Sequence, residues 1–233
     1  AAEEPDATGR SGPLAFDGAT YVQAAKAEDF DLTRHDYTIR ARIKTQAGGS
    51  ILCQTLPTDR WVPDGKSLFV RGGRLVFDIG WVGSVTSRSS VDDGAWHDVA
   101  MTWEHEAGRV RLYVDGRLDG EGILRPKGQL PGHVLRVGFT APNFPERQSF
   151  FLGQLADVRF YRRRLSDEEV RALQDATGPD PGMLARWPLD EQRDGVVADA
   201  TGSGHDGTVV QGTSGAVPSR LLVAGVEGLQ SAP

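Results

Sequence analysis

Cysteine is almost absent: Cys53 is the only one in 233 residues. Internal disulfides and a cysteine-built zinc cage are thereby excluded. Long apolar runs are missing too, and no stretch approaches the roughly 18 residues of a membrane-spanning helix. There is no surplus of positive charge. The 26 Lys and Arg against 32 Asp and Glu leave a net −6, so no basic field attracts nucleic acid or an anionic membrane. The chain carries no Gly-x-Ser-x-Gly elbow and no phosphate-cradling glycine loop. Its five histidines are scattered, without metal-ligand spacing. Bulk disorder is excluded by 39% hydrophobic and 25% charged residues. What the chain does have is turn formers, with 29 Gly and 13 Pro. The length suits one large β domain or two small ones.

Strand patterns dominate. Tyr37, Ile39, Ala41 and Ile43 alternate with Thr38, Arg40, Arg42 and Lys44, which predicts a strand with one wet face. Ser67–Arg71 and Arg74–Ile79 flank Gly72-Gly73, a two-residue hairpin signal. Val110, Leu112 and Val114 alternate with Arg109, Arg111 and Tyr113, and Asp115-Gly116 turns the chain back. Further strands are expected at 14–22, 50–55, 96–104, 134–139 and 150–161. A single helix is predicted at about 167–176, with Ser166 and Glu169 as a capping box and Leu165 and Val170 as its staple. Gly178 and Pro179 stop it. Many strands and one helix predict an all-β protein, a two-sheet antiparallel jelly-roll sandwich with one short C-terminal helix.

The organisation that follows is a jelly roll over 1–177 with a loose polar start at 1–12, then a turn-rich linker over 178–183. A strand-forming segment over 184–211 and a mixed tail over 212–233 come after it, with a further strand expected at Leu221–Ala224. The chain opens Ala1-Ala2-Glu3-Glu4-Pro5 without methionine, as a processed end would, and a secreted or cell-surface protein is expected. Cys53, in the strand-like run Ser50-Ile-Leu-Cys-Gln54, reads as a buried, inert thiol.

Six segments in order resemble a laminin-G-like jelly roll of the concanavalin A-like lectin/glucanase superfamily. They are Leu14-Ala-Phe-Asp-Gly18 with Tyr21-Val22, Phe30-Asp-Leu32 with Tyr37-Thr-Ile-Arg-Ala-Arg-Ile43, Asp93-Gly-Ala-Trp-His-Asp-Val-Ala-Met-Thr-Trp103, Arg109-Val-Arg-Leu-Tyr-Val-Asp-Gly116, Gly153-Gln-Leu-Ala-Asp-Val-Arg-Phe-Tyr161 and Arg164-Leu-Ser-Asp-Glu-Glu-Val170. The resemblance implies the fold; it does not specify a function. Trp187-Pro-Leu-Asp-Glu191 and Ala198-Asp-Ala-Thr-Gly-Ser-Gly-His-Asp-Gly-Thr208 resemble the opening strands of such a domain, although here they come last. Three arrangements fit. The segment closes its own sheet, is donated to a neighbouring subunit, or begins a truncated repeat.

Glucanases of the superfamily carry their carboxylates as Glu-x-Asp-x-x-Glu on one strand, and that pattern is missing. The nearest pair, Glu104-His105-Glu106, reads as a solvated turn. The resemblance implies one structural calcium ion at the sandwich rim, with Asp17 and Asp157 as the matching positions. Ala156 stands where the family has a further carboxylate. Asp199 and Asp206 sit in a glycine-rich turn that either binds an ion or satisfies its own backbone. His97 reads as structural, and Arg162-Arg163-Arg164 as solvated or paired with the helix carboxylates. Trp96, Trp103 and Trp187 lie in strand motifs and read as core. Trp61, Trp81, Asn143 and Phe144 lie in three loops that, if they converge, form a shallow aromatic and polar sugar site; the other reading has the tryptophans cover the sheet. The sequence thus points to a non-catalytic extracellular recognition or adhesion module, directed at a glycan or an extracellular protein. Its alternative is a structural subunit that self-associates through 184–211; a glycoside hydrolase accessory or catalytic domain ranks third, because the carboxylate pattern is missing.

Overall fold

Apolar residues recur at every second position along most of the chain, and each such run becomes a strand with one face in the core. The computed structural model describes residues 10–11, 14–58, 60–147, 149–174 and 180–211. Its strands are β1 (Arg10–Ser11), β2 (Phe16–Asp17), β3 (Thr20–Ala24), β4 (Tyr37–Thr55), β5 (Lys66–Arg71), β6 (Arg74–Ile79), β7 (Gly83–Ser90) and β8 (Trp96–Glu104). They continue as β9 (Arg109–Val114), β10 (Arg117–Ile123), β11 (Val134–Val137) and β12 (Leu152–Tyr161). The helix α1 (Asp167–Ala172) follows, then β13 (Met183–Trp187), β14 (Gln192–Arg193), β15 (Val196–Val197) and β16 (Gly207–Gln211).

The smaller sheet runs β10-β9-β8-β4-β12, with β13 and β2 both on the far edge of β12. The larger runs β1-β14-β15-β16-β3-β11-β4-β5-β6-β7. Every pairing is antiparallel. β4 serves both sheets, its first half pairing with β8 and its second with β5. The sequence suggests two strands here; the structure has one that bends at Gly48 and Gly49, at φ 88° and 110°. A Cβ on Gly49 would lie 1.9 Å from the Phe150 carbonyl oxygen, so only glycine permits the crossing. The Thr45 hydroxyl accepts from the amides of Ala47 and Gly48 and holds the bend.

Between the sheets, Ile39, Ala41, Ile43, Val99, Met101, Trp103 and Leu112 meet Val22, Leu68, Val70, Phe77, Leu135 and Val137 in one core. α1 lies on the outer face of the smaller sheet, where Leu165, Val170 and Leu173 pack on Ala100, Tyr113 and Tyr161. Its capping box is present, with Ser166 Oγ accepting from the Glu169 amide and Glu169 accepting from the Ser166 amide. It is shorter than expected, ending at Ala172, because Leu173 already caps it. Residues 175–176 of the predicted helix and the strand expected at Leu221–Ala224 lie outside the described residues.

The segment after α1 folds onto its own chain. β13 pairs with β12 and β16 pairs with β3, so residues 183–211 contribute to both sheets. Met183, expected in the linker, already pairs with Tyr161. Trp187 is wholly buried against Phe30, and its Nε1 donates to the His205 carbonyl oxygen at 2.7 Å. Asp199 organises the glycine-rich turn by accepting from the amides of Arg186, Thr201 and His205. Asp206 accepts from the Asp199 amide. Both carboxylates therefore serve their own turn, as one of the two readings has it.

Candidate functional site

The loops that carry Trp61, Trp81, Asn143 and Phe144 meet on the outer face of the larger sheet. The Gly80 amide donates to the Gly65 carbonyl, and Asn143 Oδ1 accepts from the Trp61 amide at 2.6 Å. The rings, however, fill the junction. Trp61 and Phe144 are buried with Cys53, Phe69, Val76 and Ala141, in edge-to-face contacts of 5.0–5.1 Å. As sugar platforms these two are corrected: loop rings close over strand side chains because bare apolar area on a sheet would otherwise face water. Asn143 holds the Trp61 loop. Trp81 stays 65% exposed at the β6–β7 turn, outside that cluster. Burial pushes the Cys53 thiol up to about 12, so it is unreactive. Nearby on β6, burial raises the Asp78 carboxyl to about 6 against the opposing pull of Arg71.

Beside this closed half lies an open half. Arg136 on β11 points outward between the core residues Leu135 and Val137. Its guanidinium lies 5.6 Å from the Tyr21 ring centroid and 5.3 Å from that of Phe139. Phe139 stacks on Phe150 at 4.2 Å, and Tyr21 and Phe150 are both half-buried. Arg136 is only 8% exposed, yet among the described residues it meets no carboxylate. Its polar partners are neutral: the Thr140 carbonyl at 3.2 Å and Gln23 Oε1 at 3.5 Å. Thr208 and Val210 of β16 stand opposite Gln23 and Tyr21 and extend the platform. A buried cation without a counter-ion is costly. Cation–π contact offsets part of that cost, and an anionic ligand would offset more. Sequence reading missed this group, although a signal was there: Tyr21 and Arg136 are out of phase with Val22, Leu135 and Val137.

The opposite outer face shows how this chain handles buried charge elsewhere. Asp157, at φ 50°, receives Arg40, Arg159 at 2.6 Å and Arg186 at 2.7 Å. Arg40 also pairs with Asp98. Burial raises the Asp157 carboxyl, but bonds from Arg159 and Arg186 and the charge of Arg40 outweigh it, and the net shift is downward. Asp157 is thereby corrected as a calcium ligand, since guanidinium groups occupy its oxygens. Asp17 Oδ1 accepts from the amides of Ala19 and Thr20 in a local turn, and these bonds outweigh burial to lower its pKa. Among the described residues no three His, Cys, Asp or Glu side chains are grouped as ligands for a metal. The space beside Arg40 and Asp98, under α1, measures only about 10 Å³, room for a water and not for a sugar. Trp103 and Trp187 are core, but Trp96 is 40% exposed, which corrects its reading as core.

Two antiparallel sheets packed over a shared core define a jelly-roll sandwich. The family model for the concanavalin A-like lectin/glucanases superfamily, of laminin-G type, matches residues 16–171, and the chain belongs to that family. Sushi, von Willebrand factor type A, EGF and pentraxin domain-containing protein 1 of Rattus norvegicus is 30% identical over 112 residues, which is 45% of this chain and 3% of that protein. A Bacteroides ovatus protein named for an inferred carbohydrate-binding role superposes with a TM-score of 0.63 at 18% identity, over 89% of this chain and 61% of that one. The CBM40 of Ruminococcus gnavus IT-sialidase, solved bound to α2,3-sialyllactose, superposes at 0.50 and 16% identity, over 70% and 96%. At these identities the structures share the fold. No helix among the described residues is long and apolar enough to cross a membrane.

Proposed function

We propose that this chain is a non-catalytic glycan-recognition module of a secreted or cell-surface protein, and that its site is the open half of the larger sheet. The observation that carries this is Arg136, buried against the half-buried Tyr21 ring and the buried Phe139 ring with no carboxylate partner among the described residues. Pyranose C–H faces stack on aromatic rings, the Gln23 side-chain amide donates hydrogen bonds to sugar hydroxyls, and the guanidinium takes an acidic group of the sugar. The CBM40 solved with sialyllactose and the carbohydrate-binding role inferred for the Bacteroides protein support the ligand class. A relative with EGF domains, which are modules of secreted chains, supports the setting. Asp98 and Asp157 are both taken up by ion pairs with Arg40, and the space beside Arg40 and Asp98 is too small for substrate, which supports recognition over hydrolysis. On a printed glycan array, binding concentrates on acidic glycans, and Arg136→Gln weakens it at least about ten-fold, as expected of a charge-assisted contact. Equal binding by wild type and Arg136→Gln overturns the assignment of the site.

A further inference from the structure

The outer face of the smaller sheet is closed by α1 and the arginine–aspartate network over much of its width, but one end is open. There Trp96 on β8 stands opposite Lys44 on β4, and Lys44 stands opposite Gln154 on β12. Opposed residues of an antiparallel ladder share a face at about 5 Å spacing, so the three form a row. Trp96 is 40% exposed and carries the Arg42 guanidinium 5.2 Å from its ring centroid. Lys44 has no ion-pair partner among the described residues. Beside the row lies a cleft of about 410 Å³, lined by Lys44, Thr45, Gln46, Gly94, Gly153 and Gln154.

Close backbone packing beside the cleft requires glycine. A Cβ on Gly153, at φ 140°, would lie 2.2 Å from the Lys44 carbonyl oxygen, and one on Gly94, at φ 80°, would lie 3.1 Å from the Gln46 amide nitrogen. An open indole flanked by two primary amides and two cations is a poor core for a protein interface, which needs contiguous apolar area. It suits a ring with C–H faces and a rim of hydroxyls, and the cleft has the size of a small-ligand site.

We infer that Trp96, Lys44, Gln46 and Gln154 form a second glycan subsite, on the opposite side of the sandwich from Arg136. A pyranose stacks on Trp96, and its hydroxyls bond the two amides and the ammonium. The inference shares with the proposed function only the class of ligand. Two sites facing away from each other let one module bridge two glycan chains, so binding to dense surfaces gains by avidity.

The test reads wild type, Trp96→Ala, Gln154→Ala and Arg136→Gln on one printed glycan array. The Trp96 indole ¹H–¹⁵N signal is then followed while the strongest oligosaccharide from that array is titrated in. Trp96→Ala is expected to lose at least about ten-fold in array binding, and the indole signal to shift in wild type and in Arg136→Gln alike. Gln154→Ala removes an exposed amide and no core contact; a several-fold loss in that variant supports the subsite even where Trp96→Ala fails to fold. Unchanged binding by Trp96→Ala or Gln154→Ala, or a stationary indole signal while the Arg136 face responds, overturns the second subsite and leaves the first standing. A wild type that binds no glycan on the array overturns both.

Discussion

On the outer face of the smaller sheet, Arg40 and Arg159 are almost fully buried, and each is matched by Asp157, with Asp98 as a second partner for Arg40. On the outer face of the larger sheet, Arg136 is nearly as buried but rests on Tyr21 and Phe139 with only neutral acceptors in reach among the described residues. One sandwich thus shows the same side chain in two settings. Where aspartates satisfy the guanidinium groups and a helix roofs part of them, the charge is structural and the surface is finished. Where a guanidinium is dried by aromatic rings and left without an anion, its electrostatic capacity is unspent and available to a ligand. The larger face repeats the lesson within itself. Trp61 and Phe144 seal one half, while Tyr21 and Phe150 leave the other half open.

The sharpest test of the contrast removes the counter-ion. Asp157→Asn leaves Arg40, Arg159 and Arg186 without their shared carboxylate and is expected to cost about 3–5 kcal/mol in urea unfolding, whereas Arg136→Gln costs less than about 1 kcal/mol. Similar losses in the two variants would erase the distinction between the faces. Trp61→Ala is expected to cost about 3 kcal/mol by opening a cavity in the sealed half, while array binding by the folded fraction stays unchanged. Lost glycan affinity without lost stability would return Trp61 to the binding site.

The smallest effect concerns His97, another internally paired charge at the edge of the smaller sheet. Burial lowers its pKa, but hydrogen bonds to Asp115 at 2.9 Å and Asp93 at 3.1 Å outweigh that and raise it. A group raised in the folded state stabilises fully below its unfolded pKa of about 6.5 and loses that contribution as pH rises through the folded value. Thermal melts of the wild type are therefore expected to lose stability from acidic to mildly alkaline pH by an increment that His97→Gln lacks. Parallel pH profiles would remove His97 from the ledger of paired charges.

Much of the framework was legible because alternation and turn chemistry are local. The Tyr37–Lys44 and Arg109–Val114 patterns, the Gly72-Gly73 and Asp115-Gly116 turns and the Ser166 capping box all lie where the residues indicate. β7 was not legible. Its Gly83-Ser-Val-Thr-Ser-Arg-Ser-Ser90 run carries one buried apolar side chain, Val85, and Ser87 is used to accept from the Leu75 amide at a bulge. The site was harder still. Placement in a loop or a strand does not decide exposure. Trp61 sits in a loop and is buried by Phe144, which comes from a segment some eighty residues away. Trp96 sits in a strand and is open, because it is out of phase with Val99, Met101 and Trp103. Parity along each strand held that information; the pairing that brings β3, β11 and β16 side by side did not appear in any local pattern.

Backbone amide mapping with α2,3-sialyllactose tests the central claim most directly. Shifts centred on Tyr21, Gln23, Arg136 and Thr208, and abolished by Arg136→Gln, are the predicted result. Shifts that avoid this group, or that survive Arg136→Gln undiminished, contradict it.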